Sequence, residues 1–184
     1  MESLDNFSKV IRPYSAGISV VFILAVVLAS ISLLPGCSYS FTGASISPTV
    51  KSISVNYLPN NAPLVQPALS RKLTEAIRDK FTSQSGLSLI SSNGDLTVEG
   101  EITGYSTEPV AITSEQQGAL QRLKITIVIR FTNTQDSKQD FETTFSRYQD
   151  YDATRRLSEV EESLMDIINE ELAQDIFNKA VVNW

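Results

Sequence analysis

Leu123-Lys124-Ile125-Thr126-Ile127-Val128-Ile129-Arg130-Phe131 is the stretch that decides the fold. Leu123, Ile125, Ile127, Ile129 and Phe131 share one parity, while Lys124, Thr126, Val128 and Arg130 share the other. Side chains alternate between the two faces of a sheet, so this period of two predicts a strand buried on one side and wet on the other. On the carboxyl side, Asn133–Gln139 turns the chain and Phe141–Tyr148 returns as a weaker strand with Phe141, Thr143 and Phe145 inward. On the amino side, residues 106–118 read as a polar loop, preceded by a strand over Leu96–Tyr105 with Leu96, Val98 and Ile102 inward. Gly100 and Gly104 fall on that inward parity, which predicts a bulge or a close approach by another element. A phosphate-binding loop is excluded, because no helix follows these glycines.

Further upstream, Leu87–Ser91 is a short strand. Ser92-Asn93-Gly94-Asp95 predicts a hairpin turn that pairs it with Leu96–Tyr105, since Asn-Gly accepts positive φ cheaply. Lys51–Leu58 alternates with Ile53, Val55 and Tyr57 on one face, and Pro59-Asn60-Asn61-Ala62-Pro63 ends it. Ser38–Phe41 reads as a further short strand. Between these lies a predicted helix from about Pro67 to Ser83, with Leu69, Leu73, Ala76, Ile77 and Phe81 on one face and Gly86 just beyond its end. A second helix is predicted from Ser158 to Trp184, with Ser158-x-x-Glu161 spaced as a capping box and Leu164, Ile168, Leu172, Ile176 and Ala180 on its apolar face. Two amphipathic helices and a one-sided sheet bury their apolar surfaces most economically when both helices cover the same face. The expected fold is α+β: a two-layer sandwich with a mainly antiparallel sheet of four strands, a fifth being admitted.

Composition narrows the function. The chain has 184 residues, a hydrophobic fraction of 42%, one cysteine, no histidine and a formal charge of −6. That length and apolar content support one ordinary domain with its own core. The missing histidine removes the commonest general base and zinc ligand, and one cysteine makes no thiolate cluster or internal disulfide. The acidic balance argues against a nucleic-acid surface. It is also local. From Cys37 to Leu157 there are twelve acids and twelve bases, whereas Ser158–Trp184 has seven acids and only Lys179. That helix reads as a solvated acidic face, with a basic wall of a partner as the sharper alternative.

The amino end supplies the address. Ile18–Leu34 runs 17 residues without a charge, close to the lower limit of about 17–25 needed to cross a bilayer. Leu34-Pro35-Gly36-Cys37 then places a small residue directly before the only cysteine. This resembles the lipobox of bacterial lipoproteins, in which Cys37 is acylated and becomes the first residue of the mature chain. Residues 1–36 are then a removed signal peptide, 37–50 a lipidated tether, and 51–184 a single domain outside the cytoplasm. The competing reading is an uncleaved single-pass helix ending at an incidental thiol.

Chemistry is sparse. Glu99 and Glu101 lie about 7 Å apart by strand geometry, as paired acids could, but on the solvent face where acids are ordinary. Asp150 and Asp152 lack the further oxygen ligands and the glycine of an EF-hand calcium loop. Arg122, Lys124 and Arg130 share the wet parity of the best strand and are the candidate contacts for the phosphates of an anionic glycolipid. The plainer expectation is that they pair across strands with Glu99, Glu101 or Glu142.

Taken together, Cys37 followed by YSFTGASISP, then SVNYLPNNAPLVQPALS, NGDLTVEGEITGY and the terminal DIFNKAVVNW, resembles the LptE family of lipopolysaccharide-assembly lipoproteins of Gram-negative outer membranes. The resemblance runs from Cys37 to Trp184, and only the lipobox is a motif in the strict sense. It implies a two-helix, four-stranded sandwich, lipid-anchored in the outer membrane and facing the periplasm. It also implies a one-to-one plug in the LptD-type β-barrel that assists barrel assembly and lipopolysaccharide delivery. No enzymatic turnover is implied, and no cofactor beyond the lipid on Cys37. The alternative function is a scaffold or pilot lipoprotein of another outer-membrane assembly or secretion machine.

Overall fold

The computed structural model describes residues 46–110 and 119–182. The expected signal peptide, Cys37, the strand expected at Ser38–Phe41, and Trp184 lie outside the described residues. The order of elements is β1 (Ser52–Val55), α1 (Leu69–Ser85), β2 (Ser88–Ile90), β3 (Leu96–Val110), β4 (Leu120–Asn133), β5 (Phe141–Asp152) and α2 (Leu157–Phe177), with a π-helical turn over Asn178–Val182. The strands form one sheet in the order β2-β1-β3-β4-β5. It is an α+β sandwich, as the sequence predicts, with five strands and a mixed sheet. The long ladders β3–β4 and β4–β5 are antiparallel, whereas β1 pairs with β2 and with β3 in parallel over three residues each.

The alternating strand lies one place from the sheet's edge and is hydrogen-bonded on both sides. Leu123, Ile125, Ile127, Ile129 and Phe131 are all buried. They meet Leu69, Leu73, Ile77 and Phe81 of α1 and Leu164, Ile168, Leu172 and Ile176 of α2 in one core. Fully burying such side chains is worth about 1.5–3 kcal/mol each before conformational entropy is charged against it. The first helix follows its forecast closely, with Gly86 in the left-handed conformation (φ 69°) ending it.

Four expectations need correction. First, β2 and β3 do not form a hairpin, because β1 lies between them. Asn93 takes the positive φ (58°) that its turn chemistry favours, yet the turn serves a strap that carries Ser91–Asp95 across β1. Gly94 passes so close that a Cβ there would stand 2.6 Å from both Ser54 N and Leu96 O. The Gly94 N–H donates to Ser54 Oγ (3.3 Å) and the Asp95 N–H to Ser52 Oγ (3.0 Å). Asp95 Oδ2 in turn accepts from the backbone N–H groups of Lys51 and Ser52 at 2.9 and 3.0 Å. The strap therefore buries Ser54 on the face that parity makes wet.

Second, the loop expected to begin at residue 106 starts later, because β3 continues to Val110 in register with Leu120. A bulge falls between Ile102 and Gly104, shifting the parity so that Tyr105 is buried. Third, α2 begins at Leu157, with Arg156 at its N-cap and no side-chain cap. The capping box does not form: Ser158 lies inside the helix rather than at its N-cap, and Glu161 accepts from the Tyr105 hydroxyl. Fourth, the acidic face of α2 is exposed but not only solvated, because four of its acids pair with cations of the chain. Lys72 donates to Glu162 and Asp166 (2.9 and 2.8 Å), Lys80 to Glu170, and Arg147 to Asp175.

The fit at the strap predicts a contrast. Gly94→Ala forces backbone to move and should cost about 1–3 kcal/mol. Gly104→Ala meets only the Thr126 side chain, at 3.1 Å, and should cost less. Urea unfolding of both variants checks the order. Asn169, buried on α2, has neither side-chain polar atom bonded to any described residue. Asn169→Leu should therefore raise stability by about 1 kcal/mol, and an unchanged or lowered melting temperature would count against that account.

Candidate functional site: the uncovered face of the sheet

Because both helices pack on one side, the even-numbered residues of β4 and β5 form with β3 a face that is uncovered among the described residues. Glu99 and Glu108 of β3 stand opposite Arg130 and Arg122 of β4, which stand opposite Glu142 and Asp150 of β5. Sign therefore alternates across three strands.

The three predicted cations are brought onto this face but differ in state. Arg122 makes a fork with Asp150, Nε to Oδ1 at 2.7 Å and Nη2 to Oδ2 at 2.9 Å. Its guanidinium also lies 3.7 Å from the centre of the Tyr148 ring. The fork holds the Arg122 pKa above its ordinary value and the Asp150 carboxyl below the ordinary 3.8. Arg130 donates Nε and Nη2 to the same oxygen of Glu142 at 3.0 and 2.9 Å. Both partners there are more than half exposed, so the pair adds little stability. Lys124 stands between Ser106 and Tyr148 and forms no ion pair with a described residue. Of the three, it is the cation whose charge is unmatched among the described residues.

Glu99 and Glu101 are loop anchors. Glu99 accepts from Asn56 Nδ2 (2.8 Å) and Glu101 from Asn61 Nδ2 (2.5 Å), tying the segment after β1 to β3. They border a shallow, open hollow of about 270 Å³ with Pro59, Val128, Arg130 and Glu142. Parity could identify the two acids as outward-facing, but nothing local in the sequence pointed to their asparagine partners about 40 residues away. Asp150 and Asp152, weighed as calcium ligands, are taken by Arg122 and by the Thr154 N–H and hydroxyl. Among the described residues no group of three or more acidic, histidine or cysteine side chains is placed to hold a metal ion. Among them, too, no helix is long and apolar enough to cross a membrane.

The described domain is thus a sandwich with one face covered by helices and the other carrying charge ladders and a shallow hollow. The family model described as lipopolysaccharide-assembly, LptE, matches residues 50–180. The chain belongs to the LptE family. No curated protein matches it. Similar solved structures include a minor lipoprotein from Acinetobacter baumannii, at 18% identity over 71% of this chain and 92% of that one, with a TM-score of 0.47. The rare lipoprotein B from Shewanella oneidensis is 15% identical over 70% and 92%, with a TM-score of 0.44. A hypothetical protein from Chlamydia trachomatis is 11% identical over 71% and 98%, with a TM-score of 0.49.

The acid pairs give a pH prediction. Asp95, Asp150 and Asp152 all titrate below the ordinary 3.8 when folded, Asp95 and Asp152 chiefly through backbone N–H donors and Asp150 through Arg122. The unfolded chain therefore binds protons first as the pH falls. The stability these groups supply is complete above about pH 5 and declines through about pH 2–4. Asp150→Asn should make the acid limb of a stability–pH curve shallower, and an unchanged limb would remove Asp150 from the account.

Proposed function

We propose that this chain is an outer-membrane lipoprotein, anchored through an acylated Cys37, that plugs an LptD-type β-barrel and assists its assembly and the delivery of lipopolysaccharide to the cell surface. The observation that carries this reading is the family match over residues 50–180, which takes in nearly all of the described domain. The physical character of the domain supports it. A body lodged in a polar barrel lumen must be compact and polar outside, and here three cations of α1 and β5 pair with four of the seven acids of α2 and offset part of its charge within the chain. The action is binding and scaffolding, with no covalent bond turned over.

Recovery of a large LptD-type barrel in about one-to-one ratio on affinity purification from outer membranes is the expected result. Recovery of another assembly or secretion machine in that ratio would replace this reading with the pilot-lipoprotein one. Mass spectrometry of the mature amino terminus tests the anchor: the chain should begin at an acylated Cys37, and an intact Met1 in the membrane fraction would refute it.

For lipopolysaccharide itself, Arg122, Lys124 and Arg130 are the proposed contacts, and their pairing ranks them. Lys124 can meet a phosphate without giving up a partner, Arg130 must loosen an exposed pair, and Arg122 must break a fork. Lys124→Glu should weaken binding of purified lipopolysaccharide several-fold with an unchanged melting temperature. Unchanged binding would remove these residues from the site.

A further inference from the structure

Residues 52–70 carry no charge, in a chain that is 20% charged. The run covers β1, the loop after it and the start of α1. The three most exposed large apolar side chains among the described residues lie in it: Val65 at 60%, Tyr57 at 59% and Leu64 at 55%. Apolar side chains exposed singly are ordinary. Ile167 of α2 is one such, with Asp166, Glu170 and Glu171 around it on the helix. Leu64 and Val65 differ, because they are adjacent and no charged residue is nearer in sequence than Arg71.

The loop that carries them is held in one shape. Asn60 Nδ2 donates to the Gln66 carbonyl (3.3 Å), and Asn60 Oδ1 accepts from the Ala62 N–H (3.1 Å). The Asn61 N–H donates to the Ile102 carbonyl (2.8 Å), and the Ile102 N–H to that of Pro59 (2.9 Å). Ala62 is buried beneath the loop, and Pro59, Pro63 and Pro67 each fix a backbone angle. The two aliphatic side chains are thus presented on a tied base, which lowers the ordering cost of binding.

We propose that Leu64 and Val65 are a preformed anchor that enters an uncharged, apolar recess of a protein partner. A lipid surface fits less well, since segments that lie on membranes set basic residues beside their apolar face. Here the run has no cation, Arg71 just beyond it is paired with Glu75, and the acid Glu101 is bonded to Asn61 at the loop's base. A second copy of the chain fits no better. The shallow hollow bordered by Pro59 is lined by Glu99, Glu101, Arg130 and Glu142, and charged walls do not receive aliphatic side chains. Two side chains little more than half exposed also fall far short of the roughly 800 Å² per partner of a stable interface, so the anchor is one part of a larger contact. The inference does not rest on the barrel reading, because it concerns the surface the loop fits in whichever machine the chain serves.

The test uses the full-length chain in its own cells, with a photoreactive diazirine amino acid in place of Leu64 and, as a control, of Ile167. After irradiation, position 64 should join one protein through an uncharged, apolar peptide, with about tenfold less of that adduct from position 167. Leu64→Asp should lower recovery of the same protein on affinity purification by about tenfold or more without moving the melting temperature, and Leu64→Met should preserve it. If the protein is an LptD-type barrel, the anchor and the barrel reading both stand; if it is another protein, the anchor stands and the barrel reading falls. A barrel that is recovered but not joined at position 64 overturns the anchor alone. Adducts confined to lipid or to a second copy overturn it too, as does undiminished recovery with Leu64→Asp.

Discussion

Everything in this domain depends on one constraint: the strict alternation of β4, which can be buried on only one side. A one-residue slip against either neighbour would carry Leu123, Ile125, Ile127, Ile129 and Phe131 into water and Lys124 and Arg130 into the core. The register of β3 and β5 is thereby fixed along ladders of 14 and 12 residues of strand, and both helices must lie on the odd-numbered face. The uncovered face is the other half of the same constraint. Its charge ladder exists because three strands are locked in register, with Arg130 between Glu99 and Glu142 and Arg122 between Glu108 and Asp150.

A second level of organisation acts across the layers. Helix α2 carries seven acids, a composition that repels itself when its charges are left unmatched. Lys72 and Lys80 reach it from α1, and Arg147 from the strand beneath. The side chains of Lys72 and Lys80 are largely covered, at 19% and 10% exposure, while Glu162 and Glu170 remain open at 82% and 61%. The lysine stems add apolar cover along the seam between the helices and their heads end on carboxylates. Exposed pairs of this kind add little stability singly. Together they set the two helices side by side with their charged rows matched, so the acidic helix and the basic row of α1 form one surface feature.

What the sequence showed and what it hid follow from range. Period-two and helical spacings are written within a few residues, and from them β4, β5, α1 and the apolar face of α2 could be placed. The cations at Arg122, Lys124 and Arg130 could likewise be assigned to one face by parity. What failed required partners far along the chain. The Asn93-Gly94 turn has the local chemistry of a hairpin, but β1, some 40 residues earlier, takes the place that β2 would occupy beside β3. The Ser158–Glu161 spacing has the local form of a capping box, but the helix starts one residue before Ser158 and Tyr105 bonds Glu161. The bulge after Ile102 follows the same logic. Gly104 marked a place where the strand could be irregular, while the shift in parity that buries Tyr105 depends on how β3 meets β4.

The two faces of the sheet thus stand under different demands. The covered face is closed by shape, and its apolar residues leave little room for alternatives. The open face is closed by charge: Glu142 satisfies Arg130 and Asp150 satisfies Arg122 at little cost in order, because the ladder has already positioned each pair. A charge matched this way is satisfied in the free domain, so binding an anion there means exchanging one carboxylate for another acid rather than filling a vacancy. Lys124 escapes that exchange. Its cross-strand neighbours, Ser106 and Tyr148, carry no charge, and the same register that pairs the arginines leaves it without an acid among the described residues. That difference between Lys124 and the arginines is a direct consequence of the alternation that fixes the core.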